Sequence, residues 1–283
     1  MKRRLITLPL LAALIVLAGG AAYAIPSLGG PTGIVSVPNA LIAPAGELQT
    51  ALTYQSQELA SGMYGDIDVD YWALNVLTGV SDEAELWAAY AIADQEGATD
   101  SETANMWAIG GKYQIASEPE DQASLAVGAS WETWSDSVLG ASESMYDFSI
   151  GDVDVLKAYI VATKDFTPMG EGWEWTDAQT QILGSAGLLY LDVDAEGGID
   201  ESLTRPFVGL EFVGAGGTAL GLEYRWKDSD IDAKAVFSAV LRHRFSSQVE
   251  VEVGTTNAGP SGIGLDDQDV FVRLGYNFPI GGV

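Results

Sequence analysis

The amino-acid sequence predicts an all-β protein, a transmembrane antiparallel up-and-down β-barrel of about twelve strands. Three observations support this fold class. Behind an N-terminal export signal, no apolar run approaches the roughly 18 residues that a membrane-spanning helix requires. Apolar and polar residues alternate with period two over repeated segments of about 9–11 residues. Aromatic residues concentrate towards the two ends of these segments, as they do at the interfaces of membrane barrels.

Residues 1–24 are predicted to be a secretory signal peptide. They combine a cationic start at Lys2 to Arg4, an apolar run over 5–18 and the small-residue cleavage pattern Ala22-Tyr23-Ala24. An N-terminal membrane anchor is the alternative, and the shortness of the apolar run argues against it.

The exported chain divides into two predicted parts. Residues 25–45 are punctuated by proline and glycine and form a lead-in that lies either in the periplasm or, like a plug, in the barrel mouth. Residues 46–283 form the barrel. Lipid offers no hydrogen-bonding partner to a free backbone edge, so a sheet that crosses the bilayer must close on itself.

Twelve segments show the alternation and are interpreted as strands. They cover residues 47–56, 71–80, 85–93, 105–115, 124–133, 154–164, 184–193, 205–213, 218–227, 234–245, 249–257 and 269–278. Short connections after the second, eighth and tenth segments face long connections at the other end, which is typical of outer-membrane barrels. The connection 165–183 is long on the short-loop side. It is either a periplasmic excursion or a sign that one hairpin has been miscounted.

The alternation separates an apolar face from a polar face. On the first strand Leu48 and Leu52 face one way and Gln49 and Thr53 the other. The aromatic residues of the apolar face form two groups, Tyr54, Trp72, Tyr90, Trp107, Trp131, Tyr224 and Trp226 at one end and Tyr113, Phe212, Phe245, Tyr276 and Phe278 at the other. A secreted sandwich, the alternative fold, would bury its aromatic residues in mid-strand. The pattern therefore predicts two interfacial girdles and a location in the bacterial outer membrane.

The last strand resembles the C-terminal signal that the outer-membrane assembly machinery reads. The residues that carry this likeness are Arg273, Gly275, Phe278 and Ile280, although the chain continues through Pro279 to Val283. The expected partners are accordingly outer-membrane lipid and the barrel assembly machinery.

Composition excludes several functions. The formal net charge is −27, which makes nucleic acid a poor partner. The chain has no cysteine, so disulfides and thiol chemistry are absent. No pattern indicates a cofactor.

The stretch GPTGIVSVPNALIAPAGELQTALTY resembles the lead-in and first strand of the YjbH-like outer-membrane proteins. The matching positions are Pro31, Thr32, Gly33, Ser36, Pro38 and Gly46. Members of that family are associated with exopolysaccharide production and export. The resemblance covers about 25 residues; it implies a link to polysaccharide and supplies no catalytic residue.

Charged residues on the predicted lumen face of the C-terminal strands form a candidate site, the charge ladder. It comprises Glu211, Glu223, Arg225, Lys227, Arg242, Arg244, Glu250, Glu252 and Arg273. Neighbouring strands bring opposite charges together. The ladder is either a constriction that selects solutes or an ion-pair network that fills a narrow lumen. Small residues on the inward faces of the first five strands favour some open space, namely Ala51, Ala73, Ala89, Ala91, Ala108, Gly110, Ala126 and Gly128.

Acidic residues gather at the long-loop end and form a second candidate site, the acidic rim. It comprises Asp66, Asp68, Asp70, Asp152, Asp154, Asp192, Asp194, Asp228, Asp230 and Asp232. The rim either collects cations such as Ca²⁺ or consists of solvated hairpin ends. The calcium-hand pattern is absent, because Tyr71 and not glycine follows Asp70, so no metal site is predicted.

An enzyme is not predicted, and no residue is assigned a catalytic role. The only histidine, His243, falls on the lipid face, whereas the nearby Ser238 points the other way, so no Ser-His pair forms. The leading interpretation is a porin-like or export-associated channel that carries polysaccharide or small solutes. A non-conducting surface barrel with ion- or partner-binding loops is the alternative, and a lipid-acting enzyme is the weakest.

Overall fold

A computed structural model describes residues 26–28, 30–62, 65–96, 101–117, 123–135, 152–167, 180–195, 199–214, 216–227, 234–258 and 264–279. Its strands are β1 (Glu47–Gly62), β2 (Gly65–Ser81), β3 (Ala84–Glu96), β4 (Ser101–Ala116), β5 (Ser124–Ser135), β6 (Val153–Asp165), β7 (Gln181–Ala195), β8 (Ile199–Val213), β9 (Thr218–Arg225), β10 (Val236–Arg244), β11 (Val249–Ala258) and β12 (Gly264–Pro279). No helix within these ranges is long and apolar enough to span a membrane. The predicted signal peptide lies outside the described residues.

The strands form a closed antiparallel barrel, which confirms the predicted fold class. Each strand pairs with its neighbours in sequence, and β1 pairs with β12 from Glu47–Pro279 to Gln55–Phe271. The strand β6 pairs directly with β7, so the long 165–183 connection does not hide a miscounted hairpin in the barrel wall.

The outer surface of the barrel is apolar, as the alternation predicts. Large side chains such as Leu52, Leu274 and Trp107 are 45%, 51% and 61% exposed. Aromatic residues of adjacent strands contact each other, with ring centroids 4.7 Å apart for Tyr54–Trp72. In aqueous solvent such a surface would be unstable, whereas in a bilayer it faces hydrocarbon.

The inner surface along β2–β8 is closely packed, so the predicted open space beside its small residues is wrong. The inward alanines of this region are at most 6% exposed. The ring of Trp87 lies against Gly110 and that of Tyr159 against Gly128; an added Cβ would come within 2.6 Å and 2.2 Å of these rings. The small residues make room for large neighbours inside the barrel and leave no open channel beside them.

The lead-in lies inside the barrel. Ile34, Val35, Val37, Ala40 and Ala43 are all at most 2% exposed. The last three of these, at positions 37, 40 and 43, belong to the apolar cluster of the β2–β8 side, and the first two pack with apolar residues of β10 and β12. The lead-in thus shares its packing with both sides of the inner surface.

Candidate functional site

The carboxylate of Glu223 binds the middle of the lead-in. Glu223 lies on the inner face of β9 and is 2% exposed. It accepts hydrogen bonds from the backbone N–H groups of Val35 at 3.1 Å, Ser36 at 3.0 Å and Val37 at 3.1 Å. The hydroxyls of Ser36 and Ser238 donate to it at 2.5 and 2.7 Å. Three successive N–H groups around one carboxylate form an anion-binding nest, so a negative charge on the barrel fixes this turn.

Glu85 on β3 binds the lead-in at two further points. Its carboxylate accepts from the backbone N–H groups of Thr32 and Ala43, both at 2.9 Å. Lys112, directly opposite on β4, lies 3.0 Å from Glu85 and donates to the carbonyl oxygens of Thr32 and Asn39 at 3.2 and 3.1 Å. Both charged side chains are fully buried. The pair therefore supplies a carboxylate for the N–H groups and an ammonium for the carbonyls of the same segment.

The two carboxylates face each other across the barrel. The strands β3 and β9 are six positions apart in the closed order of twelve strands, and so lie on opposite sides. A segment bound to both must cross the lumen. Its bonds are hydrogen bonds and ion contacts, with no covalent link beyond the chain itself.

Arg242 on β10 is the centre of the charge ladder. Its guanidinium lies 2.6 Å from Glu252, 3.1 Å from Glu250 and 3.4 Å from Glu211. Arg273 on β12 lies 2.6 Å from the other oxygen of Glu252. These charges are buried, and a buried charge is tolerated only when it is paired in this way.

The ladder also contacts the lead-in directly. Arg242 donates to the carbonyl oxygens of Gly33 and Ile34, both at 3.4 Å. Arg225 donates to the hydroxyl of Ser36 at 2.8 Å. Arginine side chains therefore neutralise the wall carboxylates and bind the backbone that crosses between them.

The structure brings together every predicted ladder residue except Lys227. That residue follows the end of β9 at Arg225 and is exposed. The buried members are Glu211, Glu223, Arg225, Arg242, Arg244, Glu250, Glu252 and Arg273. Arg244 lies 3.0 Å from Glu250, next to the turn that leads into β11.

Sequence reasoning missed the Glu85–Lys112 pair, and it also missed the buried ion pair of Glu132 with Lys157. Strand alternation places Glu85 and Lys112 on the inner face of adjacent strands, which was a readable signal. No sequence signal indicates the bonds of Glu85 and Lys112 to the lead-in, because these bonds involve backbone atoms of the lead-in.

The acidic rim does not line the mouth of the lumen where the structure describes it. Asp70 and Asp154 lie between buried neighbours and face outward, and Asp194 is exposed. Asp70 accepts a hydrogen bond from Tyr54 at 2.8 Å. Asp152 is exposed just before β6, and Asp192 accepts a bond from Tyr190 at 3.3 Å.

The other rim residues are only partly described. Asp66 and Asp68 belong to β2, without described side chains, and Asp228, Asp230 and Asp232 lie outside the described residues. Within the described ranges, no three His, Cys, Asp or Glu side chains are grouped so that they could hold a metal ion.

His243 and Ser238 lie on opposite faces of β10. The His243 ring, on the outer face, is 2.8 Å from the hydroxyl of Thr218 and stacks edge-on against Phe245 with centroids 4.8 Å apart. Ser238 on the inner face bonds Glu223 and Thr256. The two cannot act as a nucleophile and its base.

The described residues of the predicted assembly signal lie in the C-terminal half of β12. Arg273 faces inward and is fully buried, Gly275 pairs with Ala51 of β1, and Phe278 is 43% exposed on the outer face. Ile280 lies outside the described residues.

Three solved structures illustrate what the fold is similar to. The COG4313 outer membrane channel from Pseudomonas putida F1 has a TM-score of 0.54 and 11% identity, with 86% of this chain and all of that chain covered. The KdgM porin in complex with disordered oligogalacturonate has a TM-score of 0.49 and 10% identity, with 81% and 98% covered. Outer membrane phospholipase A from Escherichia coli has a TM-score of 0.42 and 10% identity, with 82% and 92% covered.

At these identities the likeness concerns the fold and not the activity. No protein-family model and no curated protein sequence matches the chain. A closed barrel with an apolar outer surface is the form in which a β-sheet can cross a membrane, and the fold is the one found in outer-membrane barrels.

Proposed function

We propose that the chain is a porin-like outer-membrane channel whose lumen is closed by its own lead-in, residues 26–45. The observation that carries this proposal is the crossing of the lumen between Glu85 and Glu223 by a segment that is separate from the barrel wall. The wall closes without it, because β1 and β12 pair directly over nine residue pairs. A separable segment in a closed ring is what a gate requires.

The barrel has room for a pathway when the lead-in is displaced. Eight-stranded barrels are filled by their own side chains and barrels of sixteen strands hold a water channel, so twelve strands lie between these limits. Displacement would expose the ladder charges, which would then line one side of the pathway. We propose polysaccharide or small solutes as the cargo; the resemblance of the lead-in to the YjbH-like proteins supports polysaccharide.

Planar-bilayer conductance tests the channel. The full exported chain, starting at Ile25, is compared with a refolded chain that starts at Gly46 and lacks the lead-in. We expect the full chain to open rarely and the shortened chain to conduct steadily. Circular dichroism and heat-dependent gel mobility establish that both are folded. A folded shortened chain that never conducts would refute the proposal.

A non-conducting structural barrel is the second candidate, and the close packing of the β2–β8 side favours it. If the barrel is structural, neither the full chain nor the shortened chain should conduct in the planar-bilayer experiment. An enzyme finds no support in the position of His243, since its ring contacts Thr218 and Phe245 on the outer face.

A further inference from the structure

Buried polar side chains that carry atoms without a hydrogen-bonding partner among the described residues lie where β12, β1 and β2 meet. They are Gln49 and Thr53 on β1, Asn75 on β2 and Asn277 on β12, here called the seam patch, and each is at most 7% exposed. Among the described residues, no hydrogen-bonding partner reaches either amide atom of Gln49, the hydroxyl of Thr53, or the amide oxygens of Asn75 and Asn277. Buried polar atoms are nearly always hydrogen-bonded, so such a concentration requires a physical explanation.

The four side chains are neighbours on one inner face. Gln49 lies directly opposite Asn277, and Ala51, two residues along β1, lies between Asn75 and Gly275. Thr53 follows two residues further on. Directly opposed residues have Cβ atoms about 4.5–5.5 Å apart, so the patch is a polar ring around the small centre formed by positions 51 and 275.

The first described residues of the lead-in, 26–28, contact this patch at Asn75 and its neighbour Arg273. The carbonyl oxygen of Ser27 accepts a hydrogen bond from the Asn75 amide at 3.4 Å, close to the outer limit for such a bond. The carbonyl oxygen of Pro26 accepts from Arg273, and the remaining backbone bonds of residues 26–28 are made within the lead-in. The Ser27 hydroxyl is itself buried without a partner among the described residues.

Residues 26–28 are bound differently from the rest of the lead-in. Residues 32–43 are fixed by the buried carboxylates of Glu85 and Glu223. The described bonds from the wall to residues 26–28 are one from Arg273 to the Pro26 carbonyl and one long amide bond from Asn75 to the Ser27 carbonyl. Moving residues 26–28 would let these polar atoms form hydrogen bonds with solvent or solute, and this gain favours opening at the seam.

We propose that the seam patch is the solute-binding surface of the channel, that it becomes accessible when residues 26–28 move away, and that its solute is a small, uncharged molecule bearing hydroxyl groups. This rests on the proposed channel function. Amides and a hydroxyl offer donors and acceptors together and carry no charge, which matches a polyol. The nearest charge, Arg273, is paired with Glu252 at 2.6 Å.

Cysteine accessibility tests the opening. The chain has no cysteine of its own, so a thiol reagent can react only with the single cysteine that is introduced. Thr53→Cys is compared with Ala43→Cys in the folded full chain, because both native side chains are 0% exposed and position 43 is bound to Glu85. We expect a water-soluble thiol reagent to modify position 53 at least tenfold faster. Equal rates, or a faster reaction at position 43, would overturn opening at the seam.

Glycerol entry into lipid vesicles tests the solute class. We expect the double substitution Gln49→Leu with Asn75→Leu to lower the entry rate at least threefold. Thermal stability should be nearly unchanged, because the partnerless Gln49 amide is removed while the Asn75 amide loses only one long bond to Ser27. Gln181→Leu, at an exposed glutamine whose amide has Asp165 as partner, is the matched control and should leave entry unchanged. Unchanged glycerol entry in the folded double variant would overturn the solute site.

The two proposals fail in different ways. If the chain that starts at Gly46 conducts while the seam variants behave like the native chain, the channel stands and the seam patch is not its solute site. If that chain is folded and does not conduct, both proposals are overturned.

Discussion

Glu223→Gln should release the lead-in from the β9 side of the barrel. The substitution keeps the size of the side chain and removes the charge that the N–H groups of Val35, Ser36 and Val37 face at 3.0–3.1 Å. A hydrogen bond to a charged group contributes about 1.5–3 kcal/mol and a neutral one about 0.5–1.5 kcal/mol. The loss is therefore about 1 kcal/mol per bond and about 3 kcal/mol for the three.

This loss converts into a measurable population. About 3 kcal/mol corresponds to roughly a 150-fold shift between the bound and released lead-in. Amide hydrogen exchange at residues 35–37 should accelerate by about two orders of magnitude in the folded barrel. The channel should also open more often in planar bilayers.

The matched control is Glu132→Gln. That carboxylate is also buried and paired, with Lys157, and among the described contacts it does not bond the lead-in. Its substitution should leave exchange at residues 35–37 unchanged. Equal exchange rates in the two variants would show that Glu223 does not hold the lead-in in place.

Three further outcomes follow from buried charge, backbone geometry and the lipid-facing surface. Lys112→Met leaves Glu85 buried without its cation and should destabilise the barrel by about 3–5 kcal/mol in urea unfolding. Adding Glu85→Gln to this variant should recover much of the lost stability, and no recovery would contradict the pairing. Gly30→Ala should displace the lead-in and raise conductance, because Gly30 has φ +101° and the new Cβ would lie 2.1 Å from the Trp87 ring. Gly216→Ala is the control, because a Cβ at that position would have no atom within 4 Å. Leu274→Arg, at a 51% exposed position inside β12, should cost about 2–4 kcal/mol of folding free energy in vesicles, and a cost near zero would mean that this face does not meet hydrocarbon.

The barrel was predictable because strand alternation is a local property of the sequence. Each outward Leu or Trp, such as Leu274 or Trp72, has a polar or small neighbour that faces inward, and this period fixes both the strand and its face. Strand ends were less predictable. The alternation continues to Lys227, but β9 stops at Arg225, opposite Phe207. The next residue of the partner strand, Pro206, accepts a bond from the Trp226 N–H at 3.1 Å but has no N–H to donate in return.

The place of the lead-in was not predictable from its residues. Val35 to Val37 bind Glu223 through backbone N–H groups. Because every residue except proline has such a group, no side-chain pattern indicates the contact. The inward alanines misled for a related reason. Their size shows how much room the wall leaves. One occupant, Trp87, lies on the same face of β3 as Ala89, whereas the other, the lead-in, comes from a separate part of the chain.

The strands of the barrel have very unequal lengths, 17 residues in β2 against 8 in β9. At about 3.3 Å per residue these are about 56 Å and 26 Å of strand, or about 43 Å and 20 Å of height at a tilt near 40°. An apolar band about 25 Å tall is enough for an outer membrane. The β2 side must therefore stand well clear of the bilayer surface, while the β9 strand is no taller than the bilayer interior. In its described strands the barrel resembles an obliquely cut tube that is lowest at β9.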